Sequence, residues 1–342
     1  MSQNQLFPNL PRRWRRVAEQ AWTKGEDALG YFEAKISNPE NLTQLSSKSQ
    51  QFLQKVRERA RTDNTLPLSA KEVRAASGQA LIESVIIHAR EDDRLISGRS
   101  RLKLLSIKPD VGLVNIDGRA YPAELTKRTS RSYISNTDVD AVMMLDLALF
   151  TPGRGQAEHL AHVHCHGAVA QLSAMNGRAG SIRKQVSPKR KPVNGLGDDV
   201  VTVSHKGTGN PPTLTDEDVA GLGWYVSKLT CGASTMYLSK KGQKSEKSHT
   251  DWSFIGALRQ LEFWSYVDVL NACWAHGEVG RSIRTYWRKS LIERLDLGQI
   301  PKRREIDFEK RQHQWARVWA DLGNGFPAID PNSITATSRG KL

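Results

Sequence analysis

Leu160–Leu172 reads LAHVHCHGAVAQL, and Val142–Phe150 before it reads VMMLDLALF. Both runs are short and aliphatic, and the TPGRGQAEH between them carries the glycines and proline of a loop. The pair predicts two strands joined as an antiparallel hairpin about a turn near residue 155. Side chains alternate along a strand, so His162, His164 and His166 face one way and Val163 and Cys165 the other. Three of the nine histidines thus fall within five residues. Two imidazoles two residues apart on one strand suit a divalent metal, because neutral imidazole is the commonest protein ligand and a strand fixes its direction. A carboxylate usually completes a site for Mg²⁺ or Mn²⁺. The hairpin register sets Asp146 opposite residues 164–166. Asp146 also interrupts an apolar strand, where a buried carboxylate needs a partner. Glu158, in the loop, and His162 are the other candidates for the third ligand.

Further strands are expected on either side, at Arg101–Ile107 (RLKLLSI), Val111–Ile116 (VGLVNI) and about Val200–Val203. Helical spacing marks Arg12–Ala34, Leu45–Arg61 and Ser69–Arg90. A helix is expected from Thr215 to about Leu229, with Thr215 and Asp218 forming a capping box. Trp252–His276 reads as one apolar helix, and 278–320 as basic helices. The fold class is therefore α+β: a central antiparallel sheet carrying the His-x-His strand, flanked by helices, with helical N- and C-terminal regions. The regions read as 1–98 helical, 99–248 the sheet domain, 249–327 helical, and 328–342 a loose tail.

The 342 residues carry 50 Lys and Arg against 36 Asp and Glu, a formal charge of +14. That excess points to an anionic partner, nucleic acid first. No apolar run is long enough to span a membrane, and the N-terminal MSQNQLFPNLPRRWRR has no apolar core of a secretory signal. Three scattered cysteines give neither a disulfide framework nor a cysteine-rich zinc module, which fits a reducing cytoplasm. Arg178–Pro192 (RAGSIRKQVSPKRKP) has six basic residues and no acid. Its Arg183, Lys184, Lys189, Arg190 and Lys191 are candidates for tracking a DNA backbone. The RRWRR at 12–16 reads either as a solvated helix face or as a backbone contact. No G-x-x-x-x-G-K-[ST] phosphate loop occurs.

Downstream lies Gly223-Trp224-Tyr225-Val226-Ser227-Lys228. On a helix Tyr225 and Lys228 share a face. A second copy, Tyr237-Leu238-Ser239-Lys240, shows how readily the spacing arises by chance. Taken together, the His164-Cys165-His166-Gly167 strand, the Tyr-x-x-Lys segment and the basic chain resemble the HUH endonuclease superfamily over about residues 100–245. That superfamily comprises rolling-circle initiators, relaxases and related transposases. The resemblance implies a metal on His164, His166 and a carboxylate, with Tyr225 as nucleophile and Lys228 neutralising charge near the phosphate. The resemblance is to the single-tyrosine type, and Tyr237 is a candidate second nucleophile whose role the sequence leaves open. It implies a 5′-phosphotyrosine link on single-stranded or hairpin DNA, and a separate helicase for unwinding. Two other readings compete: a His-x-His barrel hydrolase, for which the later chain has too few ligands and strands, and a non-enzymatic basic DNA binder with a structural metal.

Overall fold

In the computed structural model the described residues are 6–58, 65–98, 100–152, 160–171, 186, 195–196, 199–204, 212–227, 233–238, 244–249, 253–298, 307–323 and 326–335. The hairpin is its central feature. Strand β3 (Asp140–Pro152) pairs antiparallel with β4 (Leu160–Ala170), setting Asp146 opposite His164 and Met144 opposite His166. Around it lie β1 (Lys103–Ile107), β2 (Leu113–Asn115), β5 (Val201–Ser204), β6 (Ala233–Leu238), β7 (Lys244–His249) and β8 (Cys273–His276). The eight strands form one sheet with the main order β5-β1-β4-β3-β6-β7. All pairings are antiparallel except β3 with β6. The α+β class read from the sequence is the architecture observed.

The sheet has two notches, both beside the histidines. On its outer side β4 is shared by β1, which pairs with Cys165–Val169, and β2, which pairs with Leu160–His162. Val163 and His164 fall between them. On its outer side β3 is shared by β8, which reaches Met144, and β6, which begins at Leu149. Leu145–Ala148 fall between those. Backbone polar groups left by a ladder need other partners. The turn Asp110–Gly112 fills the first notch closely: a Cβ on Gly112 would stand 1.9 Å from the Val163 carbonyl oxygen.

Helices cover both faces. We number them α1 (Arg12–Ser37), α2 (Ser47–Arg57), α3 (Lys71–Glu91), α4 (Ala123–Ser132), α5 (Asp216–Val226), α6 (Phe254–Tyr266), α7 (Glu278–Arg294) and α8 (Phe308–Asp321). Helix α4 packs on the side of β4 that carries Cys165, and α5 on the opposite, histidine side. The Thr215–Asp218 capping box expected from sequence starts α5. A Cβ on Gly223 would lie 2.8 Å from the Ile82 Cα, so α5 sits against α3 at backbone range.

Several expectations are corrected. Trp252–His276 is not one helix. Helix α6 ends at Tyr266, a short turn spans Val269–Ala272, and Cys273–His276 is strand β8 on the central sheet. The β-branched Val267 and Val269 flank Asp268, whose side chain accepts from the Leu270 amide and starts that turn. Helix α4 was not anticipated. One apolar cluster, from Phe7 to Ile334, runs across the boundaries at 98/99 and 248/249. The region after Pro327 is not loose as far as it is described. Ile329 is buried and its amide donates to Glu262 Oε1 at 2.7 Å.

Candidate metal centre

Asp146, His164 and His166 project from the hairpin to one side of the sheet and are 3–4 % exposed. One ligand atom from each lies within 4.8 Å of the others, a group able to hold a metal ion. Asp146 Oδ2 stands 3.5 Å from His164 Nε2 and 3.4 Å from His166 Nε2. The two Nε2 atoms are 2.7 Å apart. The notches orient these groups. Asp146 Oδ1 accepts from the Leu147 amide at 2.8 Å. His164 Nδ1 donates to the His162 carbonyl at 2.9 Å.

The residues fit a cation. A carbonyl only accepts, so His164 holds its proton on Nδ1 and turns the Nε2 lone pair inward. Asp146 Oδ2 is buried with no hydrogen-bond partner among the described residues, an arrangement that is costly without positive charge. His166 Nδ1 faces Ser106 Oγ at 2.7 Å. With a cation present, His166 also turns a lone pair inward and gives its Nδ1 proton to Ser106. Without one, His166 Nε2 donates to His164 and the Ser106 hydroxyl donates to Nδ1. A hydroxyl does either, since it rotates. Burial, then the neighbouring His166 and His162, hold the His164 imidazole well below its ordinary pKa, which keeps it neutral as a ligand must be.

His162 stands outside this group: its Nε2 donates to the Pro109 carbonyl at 2.9 Å, which ties β4 to the turn before β2. Tyr225 joins it. From the last turn of α5 its ring meets His166 edge to face, with centroids 5.0 Å apart. The structure therefore brings together Asp146, His164, His166 and Tyr225. The backbone of Tyr237 lies in β6. Glu158, Lys228, Arg183, Lys184, Lys189, Arg190 and Lys191 lie outside the described residues. Ser106 was not singled out from sequence. Its signal was a polar residue in the apolar KLLSI, the same kind of intrusion that marked Asp146.

Beside Tyr225 opens a cleft of about 350 Å³, bordered by Leu104, Ser204, Gly221 and Trp224. Comparison with known proteins finds no matching family model, curated protein or solved structure. Among the described residues no helix is long and apolar enough to cross a membrane.

Proposed function

We propose that this chain is a metal-dependent enzyme that nicks and rejoins a DNA strand, in the manner of the HUH endonucleases it resembles, with Tyr225 as nucleophile. The observation that carries the reading is the 5.0 Å approach of the Tyr225 ring to His166, within a buried Asp-His-His group. Asp146, His164 and His166 would hold the ion. Two imidazoles and one carboxylate suit Mn²⁺ better than Mg²⁺, which prefers oxygen donors and water. Such an ion supplies Lewis-acid polarisation of a phosphate oxygen.

The chain's own residues account for the rest. Tyr225 Oη forms a bond to phosphorus as the bond from phosphorus to the 3′ oxygen breaks. The phenol gives up its proton and the 3′ oxygen gains one. The sum is a transesterification, so the phosphotyrosine keeps the energy of the broken diester and can be rejoined without ATP. Helix α5 orients the phenol, and Ser106 orients His166. Lys228 stands three residues beyond Tyr225 in sequence and would balance charge on the phosphate. A rolling-circle initiator of a plasmid or phage is the role we favour, with a conjugative relaxase second. Either would work with a separate helicase.

The test is incubation with labelled single-stranded and hairpin oligonucleotides and Mn²⁺ or Mg²⁺, followed by denaturing electrophoresis. A covalent adduct mapping to Tyr225 is expected. Tyr225→Phe should abolish it completely while retaining metal affinity. Metal binding with no adduct would leave the non-enzymatic reading standing instead, and an adduct on another residue would displace Tyr225.

A further inference from the structure

The first turn of α1 carries Arg12, Arg13, Arg15 and Arg16 with no acidic residue. That placement works against local stability. Cations at a helix N-terminus oppose its dipole, and like charges four residues apart repel. Two of the four have internal roles. Arg13 pairs with Asp216 at 2.6 Å, and Arg15 donates to the carbonyls of Phe7 and Leu10 at 3.2 and 3.0 Å. Arg12 and Arg16 are exposed, share one face of α1, and have no ion-pair or hydrogen-bond partner among the described residues. Both face a groove of about 1200 Å³. Val17, Gln20 and Glu217 border this groove and also the cleft beside Tyr225, so the two adjoin.

We infer that groove and cleft together are the track by which a single DNA strand reaches Tyr225. Arg12 and Arg16 engage its phosphates and Trp224 offers a face to a base. The inference rests on the nicking function proposed above and adds the substrate's path. Four observations point to the strand. Arg12 and Arg16, without a partner among the described residues, stand at a helical spacing that matches successive charges along a backbone. The half-buried Trp224 borders the cleft, and an aromatic near backbone-binding cations is how single strands are held without sequence readout. A Cβ on Gly221 would meet nothing within 4 Å, so the cleft is open one helical turn before the phenol. Glu19, Asp216 and Glu217 also border the groove and Asp218 the cleft, so four carboxylates face the four arginines. A duplex, with one charge per about 1.7 Å of axis, would demand more cations than this.

The experiment measures binding of a fluorescent single-stranded oligonucleotide to the full chain in chelator, where no cleavage occurs, across a salt series. Each phosphate contact on a single strand contributes about 0.7 to the slope of log affinity against log salt. Arg12→Ala with Arg16→Ala should therefore flatten the slope by about 1.4. Arg12→Lys with Arg16→Lys should keep it. Arg281→Gln with Lys289→Gln, which removes the same charge from exposed sites on α7, should leave it unchanged. An unchanged slope in the alanine pair overturns the track. So does equal flattening in the lysine pair or the α7 pair, or tighter binding of duplex than of single strand. The readout is separate from chemistry. If no adduct ever forms with Mn²⁺, the nicking reading fails while the slope still reports the track. If adducts form and the slope is unmoved, the track alone fails.

Discussion

Ser106 has a hydroxyl that either gives or takes a hydrogen bond, and His166 needs both behaviours in turn. Replacing it with alanine leaves His166 Nδ1 without its 2.7 Å partner. Partners of metal-bound histidines typically contribute about 10- to 100-fold in affinity. Ser106→Ala should therefore weaken Mn²⁺ binding by about that range, and Ser106→Thr should restore it, as calorimetric titration would read. His164 makes a second prediction at this scale. Burial holds its folded pKa well below the 6.5 of an exposed imidazole. Between those values the unfolded chain binds the extra proton, so stability falls as pH drops below about 6.5, by up to about 1.4 kcal/mol per pH unit. Denaturant unfolding in chelator at pH 7.5, 6 and 5 should show the decline, and His164→Gln should flatten it.

Two glycines set how the elements meet, and they separate the two halves of the site. Gly167 lets β3 and β4 lie close, since a Cβ there would come 2.0 Å from Met143 Sδ and 2.5 Å from the Val142 carbonyl oxygen. Gly223 lets α5 lie on α3. Gly223→Ala should move α5 and Tyr225 away from the sheet while sparing the hairpin. Adduct formation should then fall with metal affinity unchanged, at a cost of about 1–3 kcal/mol in unfolding. Gly167→Ala should damage metal affinity as well. Elements of this kind were legible where one periodicity dominated. The alternation in LAHVHCHGAVAQL fixed both the strand and the face of its histidines, and the loop between the runs placed Asp146 against His164. The turn-forming Asp268 was not legible in an apolar stretch, because a short buried strand and a helix segment share the same composition. Helix α4 escaped for a related reason: its sequence AELTKRTSRS is mostly polar, and its packing against β4 is tertiary.

Across the whole molecule, charged residues tie distant parts of the chain into one core. Arg74, fully buried, pairs with Glu33 from α1 and lies 5.2 Å from the Phe32 ring centroid and 4.7 Å from that of Trp264 in α6. Glu83 of α3 takes hydrogen bonds from Ser290 and Arg294 of α7. Glu262 holds the Trp319 indole at 2.8 Å. Removing one member of a buried pair costs about 3–5 kcal/mol, so Arg74→Ala should lower global stability by that amount. Circular dichroism in urea would show it as an earlier transition. A fragment of residues 99–248 should not fold, since it lacks β8 and the α3 surface under α5, and its amide spectrum should be that of an unfolded chain. Sequence could not reveal this interdependence. Composition separated a helical start and end from a mixed middle, but which helices share a core is decided by side chains far apart in the chain. The late position of β8 has a further consequence for biosynthesis. The histidine strand leaves the ribosome about a hundred residues before Cys273, roughly 5–20 seconds earlier at ordinary elongation rates. Throughout that delay the apolar edge Ala141–Met144 has no neighbour from the C-terminal part of the nascent chain, and such an edge invites pairing with other copies. Slow translation at low temperature and a supply of chaperones should decide how much of the protein is recovered intact.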